Sequence, residues 1–350
     1  MKLSAFLLLA AAAVALSPAH SAFCQNNSTV PLTVSPANFA YDSLSYRIKG
    51  LIGSPDSAAR STVQVPSSGA ASPASDPDIE PITPPGFYPA DVTNPKNHPT
   101  VFSAQSHPIY INEPPSHWGN VSTFLTDFGK SNFIHVLDQY VGAFNNNRYT
   151  LGTSFVASGY PIPADHTLQI TDILTLVHAG AAIEGGGLDH IYHIFIPKGV
   201  DMCLPPVGTA PPQCYSPDNP STFVFCAFHS AVTFSDAVGH VLFTVEPYQN
   251  VAGCNLPPSG SANSQLIDST NDTLSHETSE TISDPNLNAW WVHRLTIANG
   301  EEIGDLCIRA QIIGNNIYSK DGTVSLNGHP YTIQAEYSDE VHGCPYSTAP

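Results

Sequence analysis

Ser275-His276-Glu277-Thr278-Ser279-Glu280-Thr281-Ile282-Ser283-Asp284-Pro285 is the stretch on which the reading of this chain turns. On a helix, His276 and Glu280 are i and i+4, so they project from one face about one turn apart. That spacing lets two side chains grip one metal ion. Glu277 stands where the HExxH metallopeptidases carry their general base. Here a carboxylate replaces the second histidine, and a carboxylate oxygen is an ordinary zinc ligand. The pattern predicts a helix over residues 264–282, ended by Asp284-Pro285, with Leu266, Ile267, Leu274 and Ile282 toward the core.

A catalytic zinc site needs a third protein ligand and an open fourth position. Downstream lies Glu301-Glu302-Ile303-Gly304-Asp305-Leu306-Cys307. Asp305 is the expected third ligand. It follows Gly304, which permits close backbone approach, and precedes Cys307, whose disulfide would hold the loop. Glu302 and His293 are the alternatives, and a capping role competes for Asp305. Glu277 is the expected general base, with an outward-facing surface glutamate as the bland reading. Asp284 either orients His276 or is a turn residue before Pro285. Trp290 and Trp291 read as cleft lining or as packing, and His229 and His240 as strand residues rather than ligands. One histidine with two carboxylates suits zinc, the expected ion, less tightly than two histidines would. Calcium and manganese are the alternatives.

Working outward, residues 108–112 read as a strand and 120–140 as a helix that Gly129 divides. A second helix fits 169–179. Strands fit 189–197, 223–232 and 240–245, the last two as neighbours. Asp321-Gly322 and Asn327-Gly328 mark tight turns. The order predicts an α+β, zincin-like domain over 101–350, with a mixed sheet, a helix carrying HExxE and a disulfide-stabilised C-terminal part.

The first 21 residues read as a signal peptide: Lys2, an apolar run and a small-residue cleavage zone before Ala22. Residues 22–100 read as a Pro/Ser-rich arm, linker or propeptide, too poor in apolar residues over 54–99 to offset its ordering entropy, with Ala40-Tyr41 and Tyr46-Arg47-Ile48 as pieces that could form a short strand. Eleven Lys plus Arg face 29 Asp plus Glu, a net charge of −18. With no basic cluster, nucleic acid and anionic membranes are excluded as expected partners. No further segment reads as an integral membrane span. Seven cysteines are present. Six fall in the last 150 residues and predict up to three disulfides, with Cys24 left over. A zinc-thiolate cluster ranks lower, because no CxxC pair occurs.

Residues 275–285, then Asn288-Ala289-Trp290-Trp291, then Glu302-Ile303-Gly304-Asp305-Leu306-Cys307, resemble the core of the EXORDIUM (phosphate-induced protein) family and its bacterial exported relatives. Residues 191–197 and Phe225-Cys226-Ala227-Phe228-His229 add to the resemblance, which is strong over 275–307 and weaker from about 105 onward. It implies an exported, cell-wall or extracellular protein with a metallopeptidase-like site. The expected function is a secreted metal-dependent peptidase-like hydrolase using a metal-activated water, with Glu277 as base. It would be a monomer acting on a polypeptide or cell-wall substrate. The alternative is a non-catalytic extracellular or wall-associated protein on the same scaffold, with a structural ion or none.

Overall fold

The computed structural model describes residues 29–34, 39–50, 63–66, 88, 90–142, 145–206, 211–258, 262–293, 301–308 and 322–347. The expected signal peptide, Cys24, Asp321 and most of 54–99 lie outside them. The fold is α+β and is organised by one nine-stranded mixed sheet. Its strands are β1 (Thr29–Pro31), β2 (Tyr41–Gly50), β3 (Val63–Pro66), β4 (Ala104–Ile111), β5 (Tyr149–Leu151), β6 (Ser154–Ala157), β8 (Gly187–Phe195), β11 (Phe225–Phe234) and β12 (His240–Glu246). The order across the sheet is β1-β6-β4-β8-β12-β11-β2-β3, with β5 beside the start of β4. β6, β4, β8 and β12 run parallel. β12, β11, β2 and β3 alternate.

Parallel neighbours need crossovers, and crossovers share one hand. From β4 the chain moves outward to β6 through α1 (Val121–Lys130), a 3₁₀ segment (Asn132–Leu137) and α2 (Asp138–Val141). From β6 it moves back past β4 to β8 through β7 (Thr167–Gln169) and α3 (Ile170–Glu184). Opposite directions of travel with one hand place these helices on opposite faces. Strand alternation separates the two faces by residue. Ile109, Tyr192, Phe243 and Val245 point into the core shared with α3. Tyr110, Ile191, Phe195 and Leu242 point into the core shared with α1. α4 (Gln265–Ser283) crosses that second face after β12, contributing Leu274 and Ile282.

Smaller units surround the sheet. β9 (Asp201–Leu204) pairs with β7 and with β10 (Gln213–Tyr215), and Cys203–Cys214 joins β9 to β10. Cys226–Cys254 ties β11 to the segment before α4. α5 (Ile303–Ile308) precedes a hairpin of β13 (Gly322–Leu326) and β14 (His329–Ile333). The hairpin turns at Asn327-Gly328, both at positive φ (47° and 87°), as a tight two-residue turn requires. Cys307–Cys344 fastens α5 to the chain beyond β14.

Two expectations change, and a third, the division of the 120–140 helix near Gly129, is met. The sheet does not begin near residue 101: β2 pairs along its length with β11, and β1 and β3 also join the sheet. Ala90 and Val92 are buried in the core. The 120–140 helix divides at Ser131, just after Gly129, where any Cβ would strike the Tyr149 carbonyl of β5. Within α4, Leu266 and Ile267 are only half-buried, whereas every residue from Asp268 to Ser283 is buried.

Candidate metal centre

α4 departs from the usual composition of a buried helix, which is apolar all round. It starts at Ser264, whose Oγ accepts from the Ile267 N–H at 3.3 Å. It ends at Asp284, whose Oδ1 accepts the backbone N–H groups of Asn288 and Ala289, both at 2.6 Å. Asp284 is thus a turn residue at this atom. Several hydroxyls answer burial by bonding back to the preceding turn: Ser269 to the Gln265 carbonyl, Thr281 to that of Glu277, Ser283 to that of Ser279. His276 and Glu280 instead face each other, Glu277 faces β11, and all three lie at 2 % exposure or less.

Their neighbours come from two further elements, α5 and β11. Gly304, in α5, lies against the imidazole: a Cβ there would be 2.6 Å from His276 Nδ1 and 2.9 Å from Glu280 Oε1. Only a glycine lets α5 approach this closely. The approach brings the Asp305 N–H to Glu280 Oε1 at 3.0 Å. Glu280 Oε1 is also 3.2 Å from His276 Nε2. One ligand atom each from His276, Glu280 and Asp305 falls within 4.8 Å of the others. α5 is held in place by the Gln334 amide, which donates to the Gly304 carbonyl at 2.8 Å, and by the Cys307 disulfide.

From the sheet below, β11 presents His229. Its Nδ1 is 3.4 Å from Glu280 Oε2 and 3.5 Å from Glu277 Oε2, and its Nε2 is 3.6 Å from Glu302 Oε1. His229, Glu280 and Glu302 form a second group whose ligand atoms lie within 4.8 Å. These separations exceed the 2.7–3.2 Å of a good N–H···O bond. They match the edge of a tetrahedron with bonds of ~2.0–2.1 Å, which is about 3.3 Å. Both nitrogens of His229 and both carboxylate oxygens of Glu277 are buried without a hydrogen bond. Orphaned polar atoms of this kind are rare, and they mark places that bind an ion or take part in catalysis. The donor set of imidazole and carboxylate suits a divalent cation.

The electrostatics divide the two glutamates of the motif. Burial pushes the Glu277 carboxyl up, and the nearby His229 and His276 only partly offset it. Burial also acts on Glu280, but His276 and His229 outweigh it and hold that carboxyl well below the usual range. Burial works to lower the His229 imidazole, yet Glu302, Glu277 and Glu280 together raise it well above its ordinary value. The two carboxyls are thus shifted in opposite directions, and environments that push neighbouring carboxyls apart are typical of acid–base sites.

A polar row continues under α4. His193 of β8 is in register with Thr244 of β12, and Thr244 with His229 of β11. The Thr244 hydroxyl donates to Glu246 Oε1 at 2.8 Å, so His193 Nδ1, at 2.9 Å, is the donor to Thr244. Burial and the more distant His107 push His193 down to about 3, which keeps it neutral.

The structure therefore groups His276, Glu280 and Asp305, and turns Glu277 inward rather than to the surface. Glu302 joins the other group. His293 is in neither: its Nε2 lies 3.4 Å from the Ala289 carbonyl and its ring sits against Trp291. Trp290 donates to the Tyr140 carbonyl, and Trp291 bridges to Thr93, so both pack. His229 is the residue the sequence reading passed over. The available signal was a histidine inside the apolar run Phe225–Phe234, but only the placement of α4 makes it part of a site.

A scan against protein-family models and searches of curated proteins and of solved structures give no match to this chain. Among the described residues, no helix is long and apolar enough to cross a membrane. The three disulfides are compatible with an extracellular protein.

Proposed function

We propose that this chain is a secreted, metal-dependent, peptidase-like hydrolase on a zincin-like scaffold, akin to the EXORDIUM family. The observation that carries the reading is the convergence of His276, Glu280 and Asp305 at the one place where Gly304 allows α5 to touch α4. These three residues would hold the ion, with zinc first and calcium or manganese as alternatives. Bound there, the ion would polarise a substrate carbonyl and activate water. The chain's own contribution is proton handling. Glu277, raised by burial, accepts a proton at its carboxylate and returns it to the leaving amine. His229, 3.5 Å from Glu277 Oε2, orients that carboxylate.

The complete burial of Glu277 supports a second reading, a structural ion that stabilises α4 without catalysis. Metal content and hydrolysis of an unfolded protein substrate separate the two. The expected result is a bound divalent ion that Glu280→Ala loses, and hydrolysis that disappears with it. Wild-type chain free of metal after loading with zinc, calcium and manganese in turn would sink both readings. Bound metal without hydrolysis in the wild type would leave the structural ion.

A further inference from the structure

We infer that the centre takes two divalent cations, bridged by Glu280. The second would be held by His229 and Glu302 from outside the HExxE motif. The inference deepens the reading above and rests on it through Glu280, which belongs to both groups. The two oxygens of Glu280 face different partners. Oε1 lies on the side of His276 and the Asp305 amide, at 3.2 and 3.0 Å. Oε2 lies on the side of His229, at 3.4 Å. A carboxylate presenting one oxygen to each of two imidazoles is the arrangement that bridges ions about 3.5–4 Å apart in two-metal hydrolases.

The independent observation is His229 itself. It is fully buried, neither ring nitrogen makes a hydrogen bond, and it faces Glu277, Glu280 and Glu302 from the sheet. A strand buried on both faces could carry an apolar residue at this position at lower cost, because an unsatisfied buried imidazole is unfavourable. Glu302 Oε1, 3.6 Å from His229 Nε2, completes a set of one imidazole and two carboxylates. It repeats the donor set of the first group. Glu277 Oε2, 3.5 Å from His229, stands beside the second group, where it would serve as base toward a water activated by bound cations. The substrate class this favours is the peptide bond of the reading above, whose attacking and developing oxygens two cations would stabilise together.

The test is metal stoichiometry on the full chain, stripped with chelator and titrated with Zn²⁺ and, separately, Mn²⁺. Wild type is expected to bind two ions, and His229→Ala and Glu302→Gln one each. The Mn²⁺-loaded wild type should show an exchange-coupled paramagnetic resonance signal that becomes that of an isolated ion in either variant. Circular dichroism checks that each variant is folded, and because the two changes lie on different elements, one folded variant suffices. One ion in wild type, retained in both variants, overturns the second site and leaves the first reading standing. One ion in wild type that His229→Ala loses also overturns it, assigning His229 to a single centre. No ion in wild type removes both.

Discussion

α3 and α4 lie on opposite faces of one sheet and solve burial in opposite ways. α3 opens with a reciprocal cap between Gln169 and Asp172. It turns Ile173, Leu174, Leu176, Val177 and Ala181 to the sheet and leaves Ile183 exposed. Each of the larger ones, Ile173, Leu174, Leu176 and Val177, contributes about 1.5–3 kcal/mol on burial. α4 is buried on every side from Asp268 to Ser283, yet Leu274 and Ile282 are the aliphatic residues of that span. Its remaining groups must find hydrogen bonds or a cation, because a buried polar group left alone is costly. Both faces of the sheet carry an apolar core, but among the described residues only the one under α4 also buries a row of imidazoles and carboxylates, to which the proposed function assigns the chemistry. Local rules are broken where function requires it.

The sharpest way to break this contrast is Glu277→Gln. On the proposed function, hydrolysis falls by roughly 10²–10⁴-fold while metal content and folding persist. Equal rates in variant and wild type would remove Glu277 from the chemistry and leave α4 a purely structural polar helix.

On the other face, Leu174→Ala should lower unfolding free energy by about 2–5 kcal/mol, read from urea midpoints, with no change in bound metal. A parallel loss of metal would show that the faces are energetically one unit.

Gly304→Ala tests the seam between α4 and α5. The added methyl meets His276 and Glu280 at less than 3 Å, so we expect about 1–3 kcal/mol of destabilisation and weaker metal affinity by titration. Unchanged affinity would mean that the close approach of α5 is not what builds the site.

The smallest expected effect concerns the buried histidine on the α3 face. His107 is pushed down to about 4 by burial and then by His190, against 6.5 when unfolded. Below pH 6.5 the unfolded chain binds more protons than the folded one at this position. The contribution is therefore complete above pH 6.5 and is lost as pH falls toward 4. Compared with His107→Gln, wild type should lose about 1–2 kcal/mol between pH 7 and pH 5, measured as the difference between their urea midpoints. A flat difference would assign the acid response to the α4 face instead.

Much of the secondary structure was legible in sequence periodicity. The strands at 189–197, 223–232 and 240–245 and the helix at 264–282 match β8, β11, β12 and α4 within a few residues. The long apolar runs bounded by glycine, proline and aspartate leave few alternatives. Of residues 29–66, only short strand pieces at 40–41 and 46–48 were legible, and they fall at or within β2; that this strand runs on to residue 50 and joins the main sheet was not legible. β2 is short of apolar residues, and its strand character comes from pairing with β11.

The i, i+4 spacing of His276 and Glu280 belongs to the sequence alone, because helix geometry places them on one face wherever that helix sits. The even count of six clustered cysteines belongs to it too, as does the glycine before Asp305. Which cysteines pair, which carboxylate of α5 meets His276, and that His229 meets Glu277, Glu280 and Glu302 were decided only by the tertiary structure. The reason is physical. Local spacing constrains side chains within a turn or two of each other. His229 lies 47 residues before His276. Only the packing of α4 across β11 and β12 brings the strand histidine and the helix carboxylates to one point.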